Sequence, residues 1–381
     1  MTEKVDIAIV GGGIVGASLA HALAGRRSVV VLEQESALGY HATGRSAAEF
    51  TFRFHSPLVG QLTAASRGFM RTPPDGFSDV ALLKPRGNLL IANAEKAQRL
   101  AQVLAEEQAR SPVADASPVE PLGVQQALEK VPFLNPEYLE AAFFDPDCWD
   151  VEVESLLQAY AKSARATGAE FRRGEQLLGG VREGDSWLLR TTQGELLAKT
   201  VVNAAGAWAD SVAQLLGLKP LNIQPMRRTA ITLKVPGYDV STMPEVNEID
   251  EDFYFKPDAG HLMVSPADET PVDPHDAWPE DMDIAIAADY MTQCTTLEIT
   301  HVAHSWAGLR TFAPDRIPVV GSSAQQAGYF WLAGVGGYGI QTSPAVGQLA
   351  AALLCGDLGS LPVDLAGLAG ALDPLRFESK L

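Results

Sequence analysis

The chain has 381 residues, of which 46% are hydrophobic and 20% are charged. This composition is typical of a globular protein and excludes disordered, collagen-like and low-complexity chains. The formal net charge of -18 would repel phosphate backbones and anionic lipids, so we expect neither nucleic acid nor an anionic membrane as a partner. The three cysteines are too scattered for a disulfide framework or a paired metal site, and no segment has the apolar length of a transmembrane span.

These features predict a cytoplasmic protein with no resident metal. The segment from Leu297 to Ser305 favours a strand that would put His301 and His304 on opposite faces, which disfavours a shared metal ion. The chain ends Ser379-Lys380-Leu381, which would act as a peroxisomal address only if the source were eukaryotic.

The first elements predicted from the N terminus are those of a dinucleotide-binding unit. Residues 5–10 favour a strand, and the next six residues are Gly11-Gly12-Gly13-Ile14-Val15-Gly16, which fit the G-x-G-x-x-G pattern. Residues 17–24 favour a helix, and a second strand over 28–32 leads to Glu33. An acidic side chain at this place accepts hydrogen bonds from the ribose hydroxyls of a nucleotide.

The glycines of this pattern have separate physical roles. Gly11 permits the tight turn, Gly13 lets the backbone approach a pyrophosphate, and Gly16 lets the helix pack closely on the strand. A glycine-rich turn without a ligand is the alternative. The combination of strand, glycines, helix, second strand and acid favours dinucleotide binding over that alternative.

Two later segments favour FAD over NAD. The run His41-Ala42-Thr43-Gly44-Arg45-Ser46-Ala47-Ala48 is short, small and polar, as a loop beneath a pyrophosphate and a flavin must be. The run Thr200-Val201-Val202-Asn203-Ala204-Ala205-Gly206-Ala207-Trp208 is an apolar strand that leads into small residues, and such a backbone can lie against a nucleotide. A surface loop and an ordinary buried strand remain the respective alternatives.

Motifs near the C terminus resemble those of the D-amino-acid oxidase superfamily of flavoproteins. The run GLRTFAPDRIPVVG over 308–321 resembles its G-x-R-x4-D-x2-P-x2-G block, and GVGGYGIQT over 334–342 resembles its flavin-ring loop. Within the superfamily the closest likeness is to bacterial D-arginine dehydrogenases, carried by YHATGRSAA at 40–48, LTAASR at 62–67, FYFKPDAG at 253–260 and GGYGIQTS at 336–343. Glycine oxidase and sarcosine oxidase are more distant relatives.

The resemblance implies the cofactor, its binding residues and the reaction. FAD would take a hydride from the substrate Cα at flavin N5, and the resulting imine would hydrolyse to a 2-oxo acid and ammonia. The helix expected after Gly339 would direct backbone N–H groups at the reduced flavin. The predicted cofactor-binding residues are Gly11, Gly13, Ile14, Val15, Gly16, Glu33, Gly44, Arg45, Ser46, Ala47, Ala205, Gly206, Gly308, Gly336, Gly337, Tyr338, Gly339, Ile340, Gln341 and Thr342.

The resemblance also assigns the catalytic residues. Arg310 matches the arginine that clamps the substrate carboxylate, Arg227 and Tyr254 match the residues that share this carboxylate, and the Gly337 carbonyl would accept a hydrogen bond from the substrate amine. From the residues alone, Arg227 beside Arg228 could equally be a solvated cation pair, and Tyr254 could simply pack in a sheet.

Three predicted pocket residues depart from the D-arginine dehydrogenase pattern. Asn88 stands where a glutamate would receive a guanidinium, Glu49 where a histidine is expected, and Phe54 where a lid tyrosine is expected. The alternating run 50–54 places Phe52 and Phe54 on one face and Arg53 on the other, either as core packing or as a pocket wall. We therefore expect no strong preference for D-arginine, unless Glu49 supplies the missing negative charge.

The predicted fold class is α/β with an α+β second domain. A Rossmann-type FAD-binding domain, residues 1–82, 149–219 and 302–381, would be interleaved with a β-sheet-rich substrate-binding domain, residues 83–148 and 220–301. The segment around Trp306 lacks the cysteine through which sarcosine oxidase relatives tether their flavin, so FAD should be noncovalent.

The predicted function is that of an FAD-dependent D-amino-acid dehydrogenase or oxidase, with O2 or another electron acceptor. The first alternative is oxidation of a secondary amine such as an N-carboxymethyl or N-methyl amino acid, because the carboxylate clamp would be the same. A second alternative, a noncatalytic or tRNA-modifying FAD protein, lacks the basic surface that tRNA needs.

Overall fold

The computed structural model describes residues 2–53, 56–110 and 116–378. The strands are β1 Glu3–Val10, β2 Val29–Glu33, β3 Glu49–Phe50, β4 Leu83–Pro85, β5 Asn88–Ala92, β6 Glu120–Leu122, β7 Ala141–Asp145, β8 Trp149–Val151, β9 Glu170–Arg173, β10 Leu177–Glu183, β11 Ser186–Thr191, β12 Gly194–Asn203, β13 Gln224–Leu233, β14 Glu245–Glu248, β15 Tyr254–Asp258, β16 His261–Ser265, β17 Thr270–Pro271, β18 Val302–Phe312, β19 Val319–Ser322, β20 Tyr329–Ala333 and β21 Val335–Gly336. The helices are α1 Ile14–Ala22, α2 Pro57–Arg71, α3 Ala97–Ala109, α4 Val124–Lys130, α5 Val153–Ala166, α6 Ala209–Leu215, α7 Asp281–Cys294, α8 Gly339–Cys355, α9 Val363–Gly367, α10 Ala369–Leu372 and α11 Leu375–Glu378.

The first sheet contains the predicted dinucleotide-binding unit. Its strands run in the order β10-β11-β12-β1-β2-β9. β20 pairs with residues 201–203 of β12, beyond the part of β12 that pairs with β11, and also pairs with β19. β1 is parallel to both β2 and β12, and all five residues of β2 are buried, as expected for central parallel strands. Helix α1 starts at Ile14, three residues before the predicted start at 17, because the glycine turn leads directly into the helix.

Two glycines make the turn between β1 and α1 possible. Gly11 has φ of +111°, and a Cβ there would lie 2.3 Å from the carbonyl oxygen of Ala204 in the chain segment after β12. A Cβ on Gly16 would lie 2.1 Å from the Gly11 carbonyl oxygen. Both positions therefore have room only for a hydrogen atom, as the pattern predicted.

The second sheet has ten strands, and several side chains of the candidate site lie on it. Its order is β21-β18-β13-β16-β15-β14-β5-β7-β6, with β17 also paired to β13. Helices α4 and α7 cover an apolar core on this sheet that includes Phe133, Phe255 and Met291. β14 runs parallel to β5 and brings Glu245 next to Asn88.

A separate three-stranded sheet, β3-β8-β4, corrects one prediction. The run 50–54 was expected to alternate as a strand, but β3 ends at Phe50. Phe50 and Phe52 both pack against Trp149, with ring centroids 5.9 Å and 6.2 Å from its ring. The strand predicted from Leu297 likewise starts only at Val302.

The α/β class is confirmed, with the strands in mixed sheets and helices against their faces. The predicted domain boundaries stay a prediction. β18 pairs with β13 in the second sheet, although the boundary at residue 302 would assign it to the FAD-binding domain. Across the described residues we find no helix with the length and apolarity that a membrane crossing requires.

Candidate functional site

A long cavity runs from the glycine turn of the first sheet to the face of the second sheet. Most of the predicted cofactor-binding residues line it, and they come from distant parts of the chain. These lining residues are Gly11, Gly13, Ile14, Val15, Glu33, Arg45, Ser46, Ala47, Ala205, Gly206, Gly308, Gly336, Gly337, Gly339 and Ile340.

The remaining predicted cofactor residues lie elsewhere. Gly16 packs α1 on β1, and Gly44 closes a turn by donating its N–H to the Gly39 carbonyl at 2.7 Å. Thr342 bonds within its own helix, to the carbonyl of Tyr338. Tyr338 and Gln341 face an adjoining chamber, described below, rather than the cavity itself.

The acidic side chain at the end of β2 is held in place for a ribose. The Glu33 carboxylate accepts hydrogen bonds from the backbone N–H of Gly12 at 2.8 Å and of Glu35 at 2.9 Å. Burial raises the pKa of Glu33 above its usual value, and these two hydrogen bonds oppose that rise. The carboxylate is thus fixed at the cavity wall with acceptor capacity left for a ligand hydroxyl.

The cavity fits a bound FAD at its phosphate end and at its ring end. A Cβ on Gly13 would meet only Thr43 Oγ1, at 3.4 Å, so the glycine backbone is open to a pyrophosphate. Helix α8 begins at Gly339, as predicted, and its first residues line the cavity. The free N–H groups of a helix N terminus stabilise negative charge placed against them.

Arg310, the predicted clamp residue, lies where the cavity meets the adjoining chamber, and it lines both. A Cβ on Gly337 would lie 2.8 Å from its Cζ and Nε atoms, so the glycine backbone packs directly on the guanidinium. Arg310 has no ion-pair or hydrogen-bond partner within 2–53, 56–110 and 116–378, so its donors are available to a ligand.

The structure places Arg227, the predicted second clamp residue, on the face of β13 away from the cavity, and places Arg228 on the face that lines it. Neighbouring residues of a strand point to opposite faces, and β13 directs Arg227 away from the cavity. The Arg227 guanidinium binds Asp283 at 2.9 Å and also pairs with Glu280 and Asp268, which ties β13 to α7 and the loops beside it.

Arg228 instead lines the cavity and the chamber together with Arg310. Its guanidinium lies 6.0 Å from the ring centroid of Tyr254, and it reaches Glu269 at 3.3 Å. Its buried Nε has no hydrogen-bond partner within the described part of the chain. Burial and the charge of Arg310 lower the pKa of Arg228, so two cations converge here and an anion between them would be stabilised.

Tyr254 stays with the predicted catalytic group. It lies at the start of β15, it is 8% exposed, and it lines both spaces with Arg228 and Arg310. The second sheet thus presents two guanidinium groups and a phenol to one point, and the Gly337 backbone lies beside them. This arrangement can bind a carboxylate and fix its orientation.

The adjoining chamber extends from this point and is unusually acidic. Glu49 and Asn88, both predicted pocket residues, line it, and the Asn88 side-chain oxygen accepts a hydrogen bond from Asn247 at 3.0 Å. The glutamates on its wall are Glu49, Glu106, Glu107, Glu245, Glu248 and Glu251. Two further arginines, Arg99 and Arg110, also line it.

Two other predicted pocket residues line neither space. Phe52 is 3% exposed and packs in the core, with the Arg67 guanidinium 5.5 Å from its ring centroid. Arg53 pairs with Asp145 at 3.3 Å and donates to the carbonyl of Ser117. The chain leaves the strand after Phe50, so side-chain alternation no longer governs this run. The fifth predicted pocket residue, Phe54, lies outside the described residues.

Sequence reasoning missed three residues of the site. Thr43 Oγ1 accepts a hydrogen bond from the Ile14 N–H at 3.1 Å, and its small polar type in a glycine loop was the available signal. Arg228 was noted only as the neighbour of Arg227 and was given no site role. Glu245 reaches the chamber only through the pairing of β14 with β5, and nothing in its local sequence indicates this.

Comparison with known proteins agrees with this geometry. The sequence model of the family described as FAD dependent oxidoreductase (DAO) matches residues 6–353. Glycine oxidase of Geobacillus kaustophilus is 28% identical over 365 residues, covering 93% of this chain and 94% of the relative. Mitochondrial dimethylglycine dehydrogenase of Rattus norvegicus is 24% identical, covering 98% of this chain and 45% of that longer protein.

The same architecture is found among solved structures. The crystal structure of L-proline dehydrogenase from P. horikoshii superimposes with a TM-score of 0.81 at 23% identity, covering 100% of this chain and 99% of that one. This likeness concerns the fold. The likeness to D-arginine dehydrogenase stays a prediction from the motifs. Since the family match spans almost the whole chain and the glycine cradle, Glu33 and helix α8 fit the cofactor, the protein belongs to the DAO family of FAD-dependent oxidoreductases and uses FAD.

Proposed function

We propose that this enzyme oxidises the C–N bond of a D-amino acid, at the carbon next to the carboxylate. FAD-dependent oxidation of an amino acid or amine is the chemistry of the family, and the choice of a D-amino acid is our proposal. The observation that carries it is the convergence of Arg228, Arg310 and Tyr254 where the cofactor cavity opens into the chamber.

The two guanidinium groups would hold the substrate carboxylate, and Tyr254 would donate a hydrogen bond to it. Because Arg310 has no other partner in the described chain and the Arg228 Nε is unpaired, this binding requires no existing bond to be broken. When both carboxylate oxygens are held, the rest of the substrate can move only by rotating about the bond between the carboxylate carbon and Cα.

We assign to the Gly337 carbonyl a hydrogen bond from the substrate amine, because the Gly337 backbone lies against the Arg310 guanidinium that would hold the carboxylate. When bound, FAD supplies the hydride acceptor of the reaction. The residues of this chain therefore position the substrate, and we assign no obligate general base.

A secondary or tertiary amine remains the second candidate substrate. Glycine oxidase and dimethylglycine dehydrogenase are sequence relatives, and the second is named for an N-methylated amino acid. The same carboxylate clamp would serve N-methyl or N-carboxymethyl amino acids, which differ only at the nitrogen.

A substrate panel separates these candidates. We expect anaerobic mixing with primary D-amino acids to bleach the flavin absorbance faster than mixing with their L-enantiomers or with N-methyl and N-carboxymethyl glycine. Faster bleaching by the N-substituted compounds would assign the second candidate, and no bleaching by any carboxylate-bearing amine would refute the proposed function.

FAD should be noncovalent. The three cysteines are free, and none lines the cofactor cavity along the described chain. Acid precipitation of the purified enzyme should therefore release the yellow cofactor into the supernatant. A pellet that keeps the colour would show a covalent link.

A further inference from the structure

The chamber beyond the carboxylate clamp has two neighbouring carboxyl groups on its wall. Glu49 lies on β3 and Glu245 on β14, and one oxygen of each lies within 4.8 Å of the other and of the Cys148 sulfur. Glu245 is 2% exposed, and its Oε2 has no hydrogen-bond partner within the described part of the chain. A buried carboxylate oxygen without a partner is costly unless a ligand satisfies it.

The ionisable groups around Glu49 and Glu245 determine the net charge of this cluster. Lys256 Nζ lies 2.6 Å from Asp150 Oδ1, and Arg86 Nε donates to Asp150 Oδ2 at 2.8 Å. The ionisable groups around the pair are Lys256 on β15, Asp150 on β8, Arg86 before β5, Cys148 before β8 and Asp145 on β7. Asp145 is paired with Arg53, so two cations, Lys256 and Arg86, are left to balance Glu49, Glu245 and Asp150. Glu251 on the same wall also interacts with Glu49, and its own charge is opposed by Arg228 and Arg310.

The proximity of the two carboxyl groups therefore favours a proton on Glu245 when no cationic ligand is bound beside the pair. Burial and the adjacent Glu49 raise the pKa of Glu245 well above its usual value, because two like charges at short range cannot both ionise freely. Burial also raises the pKa of the Cys148 thiol, which stays neutral. With one shared proton the charges of Glu49, Glu245, Asp150, Lys256 and Arg86 cancel, and without it these five groups carry one excess negative charge.

We propose that Glu49 and Glu245 bind the positively charged far end of the substrate, and that the pair releases its shared proton when this cation enters. The substrate class is an amino acid with a second, cationic group, an ammonium or guanidinium. This inference rests on the proposed function, since the carboxylate end must occupy the clamp of Arg228 and Arg310. The ammonium of Lys256 within the same cluster disfavours a divalent metal ion, which would bring two positive charges.

The neighbouring carboxyl groups of Glu49 and Glu245 also change an expectation about the side chain of the substrate. Indifference to a cationic side chain was expected because Asn88 stands in place of an acid and because an apolar wall of phenylalanines was foreseen. In the structure Phe50 and Phe52 lie in the core. Glu245 supplies a carboxylate beside Asn88, because its strand β14 pairs with β5, and this pairing cannot be read from the local sequence.

D-Lysine and D-norleucine test this proposal, because they have side chains of equal length and differ in one ammonium group. We expect kcat/KM for D-lysine to exceed that for D-norleucine by at least about tenfold at alkaline pH. A cation that displaces a proton binds better as the pH rises, so this ratio should grow by up to about tenfold per pH unit until the pair is fully ionised.

Substitutions at Glu245 and Glu49 test whether these residues cause the preference for D-lysine. Glu245→Gln and Glu49→Gln should each reduce the ratio at least about tenfold and flatten its pH dependence, while D-norleucine is still oxidised. Glu245→Asp should recover part of the ratio. Glu195→Gln removes an exposed carboxylate from β12 of the first sheet, and it should leave the ratio unchanged.

The outcomes separate the two proposals. Oxidation of both substrates with a ratio near one at every pH would overturn the cation site and leave the amino-acid oxidation intact. If neither substrate bleached the flavin, the proposed function would be wrong for this substrate class. Calorimetry of lysine binding in buffers of different ionisation enthalpy would then decide the cation site by its proton release, and binding with no release, or no binding, would overturn it.

Discussion

Arg310→Ala should lower kcat/KM for the true substrate by roughly a hundredfold or more while the enzyme keeps its FAD. The loss of a charge-assisted, two-point contact costs about 3 kcal/mol, and each factor of ten in rate corresponds to about 1.4 kcal/mol. Since Arg310 has no protein partner in the described chain, its removal leaves no carboxylate unpaired, and the fold should tolerate it. Steady-state kinetics and the flavin-to-protein absorbance ratio measure the two quantities.

A matched series tests whether Arg228 or Arg227 acts with Arg310 in the proposed clamp. Arg310→Lys and Arg228→Lys keep the charge but lose the planar fork, so both should lower kcat/KM by about tenfold or more. Arg227→Lys makes the same change on the opposite face of β13, where the side chain binds Asp283 and Glu280, and it should affect thermal stability more than kcat/KM. An equal kinetic loss in Arg227→Lys and none in Arg228→Lys would restore the original assignment.

The choice between Arg227 and Arg228 was made from the resemblance, and a strand pattern could not have decided it. Strand alternation guarantees that Arg227 and Arg228 face opposite sides, but not which side belongs to the cavity. The pairing of β13 with β18 places Met226 opposite Arg310 and thereby gives Arg228 the same orientation as Arg310. This register depends on a partner strand about eighty residues away in the chain, so a local pattern contains no signal for it.

The dinucleotide unit was predictable because its determinants are local. The glycines, the following helix and Glu33 lie within one stretch of 23 residues, and each acts on its immediate neighbours. Helix α8 behind the flavin-ring loop was predictable for the same reason. The acidic chamber was not, because its carboxyl groups come from β3, β14, α3 and the loop after β14, which only the folded chain brings together.

Gly11→Ala should abolish FAD retention and destabilise the protein by about 3 kcal/mol or more, because two costs add at this position. The residue has φ of +111°, which an alanine adopts only with strain, and its Cβ would lie 2.3 Å from the Ala204 carbonyl oxygen. The backbone after β12, which also lines the cofactor cavity, would have to move.

Gly25→Ala is the matched control, since Gly25 has φ of +70° but no heavy atom within 4 Å of the new Cβ. That control should lose only about 1 kcal/mol and keep its FAD, as measured by thermal unfolding and by the flavin content after gel filtration. Full flavin content in Gly11→Ala would show that the close approach of the two backbones is not required for cofactor binding.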